Sequence, residues 1–178
     1  MELTRAERWI LSNQFTILST LDEKNREFYD NTREIIERGY EGLYDTCSAY
    51  IYSDDETLSE EESKEVFDIL DMFSAITRSL ETIEDKSVID VSMLKFSGFD
   101  GNTEGVYMAF ARFYCTEYQG GNQYTGVKRV KLLLFHPYQT LETYRRMLEA
   151  WNSCEEKRNL TRDDLVNIAT ASIHPSNR

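Results

Sequence analysis

Residues 59–83 read SEEESKEVFDILDMFSAITRSLETI, and their pattern decides the fold class. Ser59 is suited to accept the first free backbone N–H groups of a helix, while Glu62, three residues on, can reach back to the Ser59 N–H. Glu60, Glu61 and Glu62 lie where the positive end of a helix dipole favours negative charge. Val66, Ile69, Phe73, Ile76, Leu80 and Ile83 recur at steps of three and four, with Leu70 beside them, which makes one apolar stripe at the helical period. At about 1.5 Å per residue this helix is roughly 36 Å long, enough to run the width of a small domain. Other helices are expected to pack on it.

Toward the N-terminus, Thr4 and Glu7 form a second capping box. Ala6, Ile10, Ile17 and Leu21, with Leu11, Phe15 and Leu18 alongside, predict a helix over about Arg5 to Thr20. Asp22 is the expected cap of a following helix with Phe28, Thr32, Ile35 and Ile36 on its face, ending at Gly39, and the two read as an antiparallel pair. A short aromatic helix is expected from Tyr40 to Tyr52, then a solvated acidic loop from Asp54 to Thr57. On the C-terminal side, Glu84 to Leu94 is weakly patterned. Asp100 or Asn102 is the expected cap of a helix carrying Tyr107, Phe110 and Tyr114. Gln119 to Pro137 reads as a connector, with Val127 to Phe135 the one candidate strand, although an isolated strand is poorly supported in a helical domain. Leu141, Tyr144, Leu148 and Trp151 form another helical face, and Thr161 with Asp164 opens a last helix containing Leu165, Val166 and Ile168.

Composition narrows the function classes. At 178 residues the chain is long enough for one domain, 1–178, that hides about 70 % of its unfolded surface. Three well-separated cysteines without a CxxC pair fit a reducing, cytoplasmic setting. The start, MELTRAERW, lacks the apolar segment of a signal peptide, and the longest apolar run is Leu132 to Phe135, too short to span a membrane. A net charge of −12 argues against nucleic-acid binding, which is driven by cations on phosphates.

Few residues carry chemistry. Asp100, Asn102, Glu104 and Gly105 resemble the first half of a calcium-binding loop, but the ninth and twelfth positions are Met108 and Ala111, so helix capping is the better reading. His136 and His174 have no Cys, Asp or His at ligand spacing; no metal and no cofactor is expected. Phosphate-binding loops, dinucleotide fingerprints and hydrolase or metalloprotease motifs are all lacking. Arg112, Arg145 and Arg146 could in principle clamp an anion between helices, but pairing with the many carboxylates is the better reading.

The segments NQFTILSTLD, IIERGYEGLYD, LSEEESKEVFDILDMFSAI, FSGFDGNTEGVYMAFARF and YRRMLEAW resemble, in order, successive motifs of the YfbU-like bacterial proteins. The match is carried best by Gly98, Phe99, Asp100, Glu104, Tyr107, Arg112 and Phe113, then Tyr144, Arg146, Met147, Leu148 and Trp151; it departs between Gln119 and Tyr138. The resemblance implies an all-helical cytoplasmic protein, and fusion of relatives to helix-turn-helix domains implies a ligand-binding role; it supplies no catalytic residues.

The expected architecture is therefore all-α, six or seven helices packed around residues 59–83. The expected function is a non-enzymatic module binding a small molecule or a protein, with Asp100, Asn102, Glu104, Tyr107, Arg112, Tyr144, Arg145 and Arg146 as candidate contacts. The alternative is an enzyme acting on a phosphorylated or nucleic-acid substrate, with Asp100, Glu104 and Arg112 as acid, base and anion clamp. Self-association into a homo-oligomer is expected from the aromatic content, through the Leu132 to Phe135 run or the Tyr40 to Tyr52 face.

Overall fold

A computed structural model describes residues 2–53, 56–118 and 139–177. Among them are seven α-helices and no strand: α1 (Arg5–Leu21), α2 (Arg26–Arg38), α3 (Tyr44–Cys47), α4 (Glu60–Thr82), α5 (Gly105–Thr116), α6 (Leu141–Asn152) and α7 (Arg162–Ser172). None of these is long and apolar enough to cross a membrane. The expected strand over 127–135, His136, the Leu132 to Phe135 run and half of the acidic 54–57 loop lie outside the described residues. By contact density the chain has two compact units, 1–56 and 57–178.

In the first unit α1 and α2 pack as an antiparallel pair. Ser12 Oγ donates to Glu37 at 2.7 Å near one end, and Arg26 Nε donates to the Ser19 carbonyl at 3.1 Å near the other. Three local expectations are corrected. Asp22 does not cap α2: its carboxyl accepts from Asn25 and Tyr29, and a 3-10 turn at Glu23–Asn25 intervenes. The Tyr40 to Tyr52 helix shrinks to a 3-10 turn at Glu41–Leu43 and the single turn of α3. There Thr46 and Cys47 both donate their side chains to the Leu43 carbonyl and Ser48 to that of Tyr44, offering the backbone acceptors a local alternative to helix. Finally, the Ile10, Ile17 and Leu21 side of α1 is exposed, while half-buried Leu11 and Phe15 and buried Ser19 occupy the other side.

The second unit is built on α4, whose N-terminus is the expected capping box: Glu62 N–H donates to Ser59 Oγ at 3.1 Å and the Ser59 N–H to Glu62 at 2.8 Å. Val66, Ile69, Leu70, Met72, Phe73, Ala75 and Ile76 are fully buried, covering more than half the circumference of the helix. Residues of α5, α6 and α7 join them in one core, with Phe73, Phe96, Phe99, Tyr107 and Tyr144 forming an aromatic cluster. Neighbouring rings in it lie 5.1–5.8 Å apart, mostly tilted or edge-to-face, as ring quadrupoles prefer. The buried Ser79 hydroxyl accepts the Leu160 N–H at 2.9 Å, tying the loop before α7 to α4.

Gly39 ends α2 with φ +68°, a left-handed conformation that side chains disfavour, and the Arg8 guanidinium comes within 2.7 Å of where a Cβ would stand. Gly39→Ala is expected to lower stability by about 1–2 kcal/mol, and Gly39→Asn by less because Asn tolerates that region; urea unfolding followed by circular dichroism measures both.

Candidate functional site

The segment from Phe96 to Gly105 connects the core to α5, and its side chains determine where α6 begins. Gly98 adopts φ +92°, which a glycine accepts freely, and its carbonyl accepts from the Tyr144 hydroxyl at 2.8 Å, with the Thr140 hydroxyl, whose one proton is shared with Glu104, 3.0 Å away. Asp100 turns the chain: its carboxyl accepts from the Asn102 N–H at 3.1 Å and from the Thr103 hydroxyl at 2.6 Å. The cap of α5 is thus Glu104, not Asp100 or Asn102 as the sequence suggests.

Glu104 is 5 % exposed, and its carboxyl serves a different helix. One oxygen accepts the Thr140 and Leu141 N–H groups at 2.9 and 2.8 Å, the other the Asp100 N–H and the Thr140 hydroxyl, each at 2.8 Å. The first N–H groups of a helix have no partner within it, and here two at the start of α6 are satisfied by a carboxyl 36 and 37 residues away in sequence. Thr140, the N-cap of α6, makes no side-chain cap bond of its own; its hydroxyl is instead a donor toward Glu104.

The other predicted contacts fall elsewhere. Arg145 grips Glu65 of α4 with Nε at 2.7 Å and Nη2 at 3.0 Å, and also meets Glu142 at 2.6 Å. That guanidinium holds the Glu65 carboxyl below its usual range, assisted by the Tyr107 hydroxyl donating at 3.1 Å. Arg146 donates to the Ala171 and Ser172 carbonyls, satisfying acceptors at the end of α7. Asp100, Glu104 and Tyr144 therefore meet at one junction, Tyr107 and Arg145 meet at Glu65, and Arg146 closes α7. Arg112 and Asn102 are exposed. The tertiary contacts of these residues hold helices together.

A groove of about 330 Å³ lies on another side of α4, lined by Asp71, Ser74, Ala75 and Arg78 with Trp151, Lys157 and Arg158. Its floor is buried Trp151, whose Nε1–H donates to the Lys157 carbonyl at 3.0 Å and so fixes the loop that follows α6. The Lys157 ammonium sits 5.1 Å from the Trp151 ring centroid and donates to Asn152 at 2.7 Å. Arg78 Nε donates to the Ser74 carbonyl at 3.3 Å, aligning the side chain along α4. Three cations against one carboxyl thus face the same space. Sequence reasoning missed this site: Arg78 and the Lys157–Arg158 pair are distant in the chain and match no motif, and only the packing of Trp151 unites them. Among the described residues no group of three or more His, Cys, Asp or Glu side chains is arranged to hold a metal ion.

A family model described as the YfbU domain matches residues 1–171, nearly all of the 178-residue chain, and the chain belongs to that family.

Two outcomes follow from the Glu104 junction. Glu104→Ala leaves two buried N–H donors and one half-buried one without an acceptor, at about 1–3 kcal/mol for each buried group, so denaturant unfolding is expected to register a loss of at least about 2 kcal/mol. Burial pushes the Tyr144 phenol up to about 12 from its ordinary 10, with Glu104 adding to the rise against a lowering bond from the Ser97 N–H. Because the folded state favours the protonated phenol, that stabilisation is complete below pH 10 and disappears as pH rises through about 12. Tyr144→Phe should flatten the fall in unfolding free energy over that window.

Proposed function

We propose that this member of the YfbU family is a non-enzymatic binding module, acting as one cytoplasmic domain, whose Arg78, Lys157 and Arg158 groove receives a small oxyanion-bearing ligand. The observation that carries the reading is the convergence of three cations on one aromatic-floored groove in a chain of net charge −12. Like charges held together repel, and a bound phosphate or carboxylate relieves that repulsion while accepting bidentate bonds from the arginines. The edge of Trp151 offers apolar surface to the remainder of the ligand, and the volume lies at the small end of the range for ligand sites. Support for a single domain comes from the family match, which spans both units, and support for the cytoplasm from three free thiols. The enzymatic alternative draws no support from Glu104, whose two oxygens are occupied by four hydrogen bonds.

Isothermal titration with inorganic pyrophosphate tests the proposal. Sub-millimolar binding is expected, accompanied by a change in Trp151 emission and weakening with added salt. Replacing Arg78 and Arg158 together by Ala should weaken it at least about tenfold. Absence of heat and of any fluorescence change at millimolar pyrophosphate refutes it, as does unaltered binding by the double variant.

A further inference from the structure

The run WILSNQFTILSTL, residues 9–21, contains no charged side chain, although 29 % of the chain is charged. It occupies α1, and the α1–α2 packing uses only the side bearing Leu11, Phe15 and Ser19. The opposite side is left in solvent: Trp9 is 71 % exposed, Ile10 54 %, Ile17 57 % and Leu21 77 %, with Leu18 at 38 %. Between these stand Asn13 and Gln14, which are polar but uncharged. A helix face that is meant to remain in water normally carries charge, and an interface core normally lacks it.

We propose that this face of α1 is the docking surface for a second copy of the same chain. Charge identifies the occupant. Two copies at −12 repel each other across most of their surface, and a face without charges is where they can meet without opposing like charges. Area agrees with this. With about 150–250 Å² available on a large aromatic side chain and somewhat less on an aliphatic one, the exposed fractions of these five residues amount to roughly 500–600 Å² of apolar surface. That is at the upper end of patches on monomers and supplies most of the roughly 800 Å² per partner of a standard interface, before Ala6, Asn13, Gln14 and Thr20 are counted.

An antiparallel two-fold pairing centred near Asn13 and Gln14 sets Trp9 and Ile10 of one copy beside Ile17 and Leu21 of the other, and the two α1–α2 pairs become a four-helix assembly. Asn13 and Gln14 then sit at the two-fold axis, where side-chain amides can donate and accept between copies. Charge of both signs resumes at the ends, with Arg5 and Glu7 before the run and Glu23 and Lys24 after it, as at a polar rim. This reassigns the expected self-association to α1 and rests on none of the residues of the proposed ligand groove.

Sedimentation equilibrium on the full chain is the test. A dimer is expected at tens of micromolar, with association weakened at least about tenfold in the Ile10→Glu, Ile17→Glu double variant. Because repulsion between copies is screened while the contact itself carries no charge, added salt should leave the dimer unchanged or strengthen it. Trp9 supplies a readout on the unaltered protein: dilution should red-shift the emission as its ring returns to water, even if the double variant misfolds. A wild-type monomer at about 100 µM refutes the proposal, as does a dimer that survives the double substitution, that dissociates with salt, or whose emission is independent of concentration.

Discussion

The second unit depends on one carboxyl group. A helix entering a packed core must hide its first N–H groups, and burying a backbone donor without an acceptor costs about 1–3 kcal/mol. Glu104 solves this for α6 from the start of α5, while its other oxygen holds the Asp100 N–H. That locks the entry of α6 to the turn preceding α5, so Tyr144, one turn into α6, lies against Phe73, Phe96 and Phe99 with its hydroxyl between Gly98 and Ser97. The aromatic cluster and the position of Trp151 two turns further along follow from the same constraint. The acidic loop that resembles half of a calcium site is thus a device for starting two helices, α5 and α6.

Charge organises the surface in a complementary way. Among the described residues acidic side chains dominate, and two places stand out against that background: the cationic groove over Trp151 and the uncharged outer side of α1. The groove needs tertiary structure to exist, because α4 contributes one cation and the loop after α6 the others. The α1 face is continuous in sequence, and only its exposure depends on how α2 packs. One departure suits a small anion and the other a neutral, apolar partner, so the two readings stand on independent physical grounds.

Legibility in the sequence followed the range of the interactions. The capping boxes at Thr4, Ser59 and Thr161 each join residues three apart and form as expected. Gly39 ends α2 as predicted because a left-handed residue is a local requirement. The α4 stripe was readable because that helix is buried over so much of its circumference that its orientation hardly mattered. The α1 stripe was misleading for the opposite reason: the helix is apolar around more than half its girth, and α2 covers only one side. Glu104, Arg145 and Arg146, expected as ligand contacts, turn out to tie helices together, because side chains that bind ligands and side chains that cap helices have the same chemistry.

By itself, then, the sequence determined the helical class, most helix boundaries and the family, because caps, periodicity and glycine conformation are written within three or four neighbouring residues. Tertiary structure alone decided that Glu104 caps α6, that Arg145 pairs with Glu65 and that Arg78 joins Lys157 and Arg158. Each of those links residues 36 or more positions apart, and which distant donor meets which acceptor is set by how the helices pack, a quantity that no local pattern encodes.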